Sequence, residues 1–172
     1  MQTTKLLAIL SATLLALSFS SKVIAVPAQE VRWEALVGVI QPGNVVGSGT
    51  GAVTGGGQPW VVTGGRASVD LASGDVRFDV AGLVLAGGNS IGTRGTITPV
   101  KGTLVCDTNG SAGGGNSVLV DTPTVPLSLQ GEANFSGNVG PLPAVCLTQP
   151  DIAFLIRGAS GSWFAAGIVR EP

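Results

Sequence analysis

The chain contains no histidine and no tyrosine, and its only methionine is Met1. Without imidazole there is no Ser–His–Asp or Cys–His relay, and no histidine-ligated zinc, copper or iron site. With no methionine beyond Met1, a thioether copper site is excluded too. Charge is scarce, at 11% of residues. No run of Lys or Arg occurs, so the electrostatic footing for nucleic acid or an anionic lipid surface is missing. Helix patterning is also lacking: beyond residue 25 no stretch sustains apolar residues at i, i+3, i+4 and i+7 free of Gly or Pro. The glycine clusters Gly47-Ser48-Gly49-Thr50-Gly51 and Gly55-Gly56-Gly57 lack the following helix and the lysine of a phosphate-binding loop.

What is present starts with residues 1–25, which have the three parts of a cleavable signal peptide. Lys5 supplies the positive start. Leu6–Leu17 is an uncharged, mostly apolar run, shorter than the roughly 20 residues that span a bilayer. Val23-Ile24-Ala25 then places modest side chains before a cut. The reading is a signal helix over 1–25 and one domain over 26–172, bacterial in style, in a periplasm or secreted. No Cys lies near the cut to take a lipid, and the apolar Trp163–Val169 is too short to anchor a C-terminus. Lys5 and Lys22 leave with the signal, so seven of the nine basic residues face all ten acids.

All 27 glycines fall after residue 25. Between their clusters Val, Leu, Ile, Trp and Phe alternate with polar residues, which reads as strands and turns rather than disorder. Val69 and Leu71, then Val76, Phe78 and Val80, alternate with polar partners across a turn at Ser73-Gly74. This is the clearest hairpin, apolar on one face and charged on the other. Further strands are predicted over Val31–Ile40, Val45–Val53, Trp60–Thr63, Leu83–Leu85, Thr93–Thr98, Gly102–Cys106, Ser117–Val120, Leu127–Leu129, Ala133–Val139, Asp151–Arg157 and Trp163–Val169. The fold class is all-β: a single antiparallel β-sandwich, with a barrel as the alternative.

Cys106 and Cys146 are the only cysteines, and in an exported chain two cysteines pair. Their bridge closes about 40 residues and restricts the unfolded chain by about 4 kcal/mol in the loop-entropy model. Val69, Leu71, Phe78, Val80, Leu104, Phe135, Phe154, Ile156 and Trp163 are the expected core, and Asp107–Asn116 the expected exposed loop.

Chemistry-bearing candidates are few. Trp60 follows a Gly-rich turn; core packing is its expected role, with stacking on a sugar or contact to a peptide near that loop as the alternative. Asp107, Asn109, Asn116 and Asp121 carry oxygen side chains in and beyond a polar loop, a partial calcium pattern without the distal Glu. Asp70, Asp75 and Asp79 cluster in sequence and are the candidates for paired-carboxylate hydrolysis, against a plain solvated face. No cofactor is expected.

Leu142-Pro143-Ala144-Val145-Cys146, Phe154-Leu155-Ile156-Arg157, Trp163-Phe164-Ala165-Ala166 and Thr103-Leu104-Val105-Cys106 resemble segments of small secreted bacterial β-domain proteins with a paired-Cys C-terminal half. The hairpin around Phe78 is similar to CHRD-type extracellular domains, although the histidine often present in those is absent here. The resemblance implies an exported, disulfide-bridged β domain and brings no activity or site residue.

The functional expectation is a non-catalytic envelope or extracellular binding or structural module. Its partner would be a cell-surface polymer or a protein, with no nucleic acid and no membrane anchor after cleavage. The alternatives are a carboxylate-based hydrolase acting on polysaccharide and a self-associating surface protein. Mass spectrometry of the exported chain is expected to place its first residue at Val26; retention of residues 1–25 would overturn the signal reading.

Overall fold

The computed structural model describes residues 29–112, 114–148 and 150–171. The expected signal segment, 1–25, lies outside them. Twelve strands are described: β1 (Glu30–Gly38), β2 (Val45–Val46), β3 (Val53–Thr54), β4 (Trp60–Val61), β5 (Gly64–Asp70), β6 (Asp75–Ala81), β7 (Val84–Leu85), β8 (Val100–Cys106), β9 (Val118–Asp121), β10 (Ala133–Asn138), β11 (Ile152–Gly158) and β12 (Trp163–Glu171). One short helix, α1 (Ala144–Thr148), precedes β11. Eight strands form one antiparallel sheet in the order β10-β6-β5-β1-β12-β11-β8-β9; β2 pairs with β3, and β4 with β7. The all-β class holds.

The large sheet is strongly curled. β6 and β11 stand four positions apart in it, which on a flat sheet is about 19 Å at 4.8 Å per strand. Yet the rings of Phe78 on β6 and Phe154 on β11 have centroids 6.0 Å apart. Trp33 on β1 meets the same Phe154 at 5.5 Å. The two ends of the sheet therefore face each other, and the sandwich-like core lies inside a single folded sheet. Strand alternation feeds it: Val31, Trp33, Ala67, Val69, Val76, Phe78 and Val80 are buried, while Arg32, Glu34, Arg66, Arg77 and Asp79 point outward and are exposed.

β8 and β11 are buried on both faces. Leu104 and Phe154 point into the curl, and Thr103, Val105 and Leu155, of opposite parity, are also fully buried. The glycine-rich segment 43–57 helps cover this second face. Side chains would keep it off: a Cβ on Gly51 would meet the Ser117 carbonyl oxygen at 1.9 Å, and one on Gly49 the Asn116 Oδ1 at 2.1 Å. Trp163 seals one end, its indole N–H donating to the Asn44 carbonyl.

The disulfide joins Cys106, at the end of β8, to Cys146, with Cα atoms 4.9 Å apart. It also explains α1, which the pattern did not predict. Five residues are too few for an independently stable helix, and here the turn is tethered covalently to a buried strand end.

Three other expectations differ. Val45–Val53 is broken into β2 and β3 by a 3-10 turn at Gly49–Gly51. Thr93–Thr98 is turn rather than strand, because Thr93 N bonds Ser90 O and Ile97 N bonds Arg94 O, closing local turns. Leu127–Leu129 is not a strand either: Pro123 and Pro126 remove ladder donors, leaving one bridge between Val100 and Val125. Of the predicted core, Phe135 is only half-buried, on edge strand β10, where it stacks on Phe78 at 6.0 Å.

The curl sets a strict size limit at Gly102 on β8, where a Cβ would stand 2.7 Å from Phe154 Cζ and 2.9 Å from Phe78 Cδ1. Gly102→Ala is expected to destabilise the domain by about 1–3 kcal/mol in urea unfolding. An unchanged midpoint would mean that the two rings are not held against this strand.

Candidate functional site

The connection from β7 to β8, residues 86–99, folds back on its own start. Leu85 N donates to Thr93 O, Gly92 N to Leu85 O, and the Thr93 hydroxyl to Ser90 O. This puts Ser90, Arg94, Thr96 and Ile97 opposite two buried aromatics. Trp60 on β4 is held by pairing with Leu85 and by its own N–H to Val39 O. Phe164 on β12 meets it with ring centroids 4.6 Å apart and planes 43° inclined. The space between loop and aromatics is a cleft of about 380 Å³ that also touches Gln58 and Leu85. Trp60 is 4% exposed. It is thus a wall of the cleft and offers no open ring face on which a sugar could stack.

Arg94 is the cation of this cleft. Its Nη1 donates to Ile97 O at 3.1 Å. Its Nε is buried and, among the described residues, the one buried side-chain N or O atom without a hydrogen-bond partner. Arg32, Arg66, Lys101 and Arg157 each lie against a carboxylate, and among the described residues Arg94 has no such ion pair. No acid is among the described residues that line the cleft.

The four residues of the calcium pattern are placed in two locations. Asp107 is buried, against the expectation of a wholly exposed loop, with a φ of 55°. Its Oδ1 accepts from Ser111 N at 2.8 Å and its Oδ2 from Ala112 N at 3.0 Å. Asn109 Oδ1 accepts from the same Ser111 N, and its amide donates to Asp151. Asn116 Oδ1 accepts from Thr50 N and the Thr50 hydroxyl. These oxygens face N–H and O–H donors, so they shape the loop and clip it to segment 48–50. Asp121 pairs in register with Thr103, four residues down β8 from Asp107, or about 13 Å at 3.3 Å per residue. Among the described residues no cluster of three or more metal-ligating side chains occurs.

Asp121 instead anchors a partly buried ion cluster. Lys101 Nζ donates to one carboxylate oxygen; the Thr103 hydroxyl at 2.6 Å and Arg157 Nη1 at 3.3 Å donate to the other. Arg157 also holds the following turn, its Nε donating to Gly161 O. Burial is the largest single influence on the Asp121 carboxyl and pushes its pKa up. The hydrogen bonds from Lys101 and Thr103 and the two positive charges together outweigh it and hold the carboxyl below 3.8.

Asp70, Asp75 and Asp79 lie on the outer face of the β1–β5–β6 sheet, and of the three only Asp79 lines the open cleft of about 330 Å³ there. Register arranges this face in rows across the strands. One row runs through Glu30, Asp70 and Asp75; the next through Arg32, Ser68 and Arg77; Arg66 and Asp79 pair in a third. Asp79 is ion-paired with Arg66 at 2.9 Å, both side chains more than half exposed. Asp70 caps its own turn through Ala72 N and Ser73 N. The Asp75 carboxyl is held below its ordinary value by hydrogen bonds from Asn138 and Ser73, and that of Glu30 chiefly by its bond from Arg32.

No protein-family model, no curated protein and no solved structure matches the chain. Arg94 and Phe164 were not legible as site residues in the sequence. Arg94 sits in a segment that reads as strand, and only the turns of loop 86–99 bring it to the cleft that Trp60 also lines.

Asp121→Asn is expected to cost about 1–3 kcal/mol near neutral pH, because it weakens charge-assisted bonds to Lys101 and Arg157. The folded-state pKa is depressed, so the carboxylate's contribution is fully present above about pH 4 and fades as pH falls through the folded value. The stability gap between wild type and D121N in urea should therefore narrow below pH 4; a gap independent of pH would refute the assignment.

Proposed function

We propose that the chain is a non-catalytic β module, exported through residues 1–25, that binds a ligand at the Trp60–Phe164–Arg94 cleft in an envelope or extracellular space. Three features support the location. The disulfide is consistent with an oxidising compartment, residues 1–25 have a signal pattern, and no described helix is long and apolar enough to cross a membrane. The observation that carries the binding reading is a cleft partly walled by Trp60, Leu85, Ile97 and Phe164 and containing a cation beside which no acid of the described residues lies. Apolar walls with a few convergent polar groups are the usual make-up of a small-molecule site.

The hydrolase reading has less support. A glycosidase needs one carboxyl kept protonated near neutral pH. The Glu30, Asp75 and Asp121 carboxyls are instead all held below their ordinary values.

Amide NMR spectra of the exported chain, titrated with a panel of soluble polysaccharides, small organic acids and their neutral analogues, test the choice. Shifts confined to Gly57, Gln58 and Ser90–Ile97 are expected, without release of reducing sugar. Shifts centred on Arg32, Arg66 and Arg77, or sugar release abolished by Asp79→Asn, would overturn the proposal.

A further inference from the structure

We propose that the ligand of this cleft is a carboxylate carried on an apolar, ring-sized body, and that Arg94 is its anion receptor. This rests on the reading above that the cleft is the binding site, and goes beyond it by naming the ligand class.

The charge argument comes first. A guanidinium cannot shed its proton, so Arg94 stays cationic beside the cleft. The uncharged polar groups around it, on Gln58, Ser90 and Thr96, do not neutralise it. Arg77 also lacks an ion pair, but it lies on the outer sheet face, and its charge is felt by Glu30 and Asp75. No acid among the described residues lines the cleft, so an anion entering it meets the positive charge of Arg94.

Donor geometry narrows the class. Ile97 O takes Nη1, which leaves the Nε–Nη2 edge of the guanidinium as the side without a protein acceptor. Two parallel N–H groups on one edge match the two oxygens of a carboxylate. Nε is shielded from water, so full engagement requires the guanidinium to turn toward the cleft, away from its bond to Ile97 O and from the atoms packed around Nε. Burial of an unmet N–H is unfavourable, and a bound carboxylate relieves it. A phosphate can use the same fork, but it brings further charge and further acceptor oxygens, and no Lys or second Arg among the described residues lines this space to meet them.

The walls define the rest of the ligand. Trp60, Phe164, Leu85 and Ile97 supply the apolar part of the lining, beside Gln58, Ser90 and Thr96. A cavity of roughly 150 Å³ accommodates a benzene ring, so about 380 Å³ holds a ring together with a short acidic arm. Trp60 has its ring face covered by Phe164, which disfavours a saccharide and favours a body that fills space.

The test uses phenylacetate and phenylacetamide, matched in shape and different in charge, titrated into the full exported chain by calorimetry and amide NMR. Phenylacetate is expected to shift Ser90–Ile97 and to bind at least tenfold more tightly than the amide. Arg94→Gln is expected to remove most of that difference, and Arg77→Gln to leave it intact. Arg94→Lys, which keeps the charge and loses the two-pronged edge, should fall between them. The wild-type comparison of the two probes needs no variant, so it decides even if R94Q fails to fold. Equal affinity of both probes at the cleft would overturn the carboxylate assignment and leave the binding site standing. Failure of both probes to shift Ser90–Ile97, while another ligand of the panel shifts only the outer face, would overturn the site itself. Tighter binding of galacturonate than of phenylacetate would overturn the apolar body.

Discussion

The meeting of Phe78 and Phe154 across the interior is the contact on which the architecture depends. Eight hydrogen-bonded strands laid flat would be a wide sheet with one greasy face in water. Curling brings β6 over β11 and lets the same rows of Val, Phe and Trp cover one another. The hydrophobic effect supplies the drive, since it is proportional to apolar area removed from water. Close packing supplies the limit, because the opposing rings leave no room for a Cβ at Gly102.

A second layer follows from the curl. β8 and β11 end up covered on both faces, so the outward rows there carry Val105, Leu155 and Thr103 rather than charge. Segment 43–57 and loop 107–117 take up that outer position, and their polar groups are mutually satisfied. Ser48 N bonds Ser117 Oγ, Thr50 N bonds Asn116 Oδ1, and the Asp107 carboxylate gathers Ser111 N and Ala112 N. Lys101, Asp121 and Arg157, three partly buried charges, are clustered on one another, as the cost of burying an isolated charge requires. Arg94 departs from this economy, and the departure coincides with a cleft. Elsewhere the oxygens that look like ligand donors in the sequence are turned inward on N–H groups of the chain itself.

Much of the fold was legible because strand alternation is a local signal. Val69, Leu71, Val76, Phe78 and Val80 named both the hairpin and its buried face, and the two cysteines named their bridge in a chain with no other. The local signal failed where long-range or local hydrogen bonding overrode it. Thr93–Thr98 has the β-branched content of a strand, yet its backbone bonds close turns. Asp107 reads as a loop residue, yet its side chain is buried because its carboxylate organises that loop.

The sequence by itself determined the strand faces, the disulfide and the chemistries that a chain without histidine or tyrosine cannot perform, since each follows from residue type or from spacing along one strand. The tertiary structure alone decided that the sheet curls on itself, that α1 forms at the tether of Cys146, and that Trp60 became a wall of the cleft that Arg94 also lines instead of a surface platform. The physical reason is separation: Trp60, Arg94 and Phe164 are brought together by strand order and loop turns, and no pattern confined to a short stretch of chain encodes that meeting.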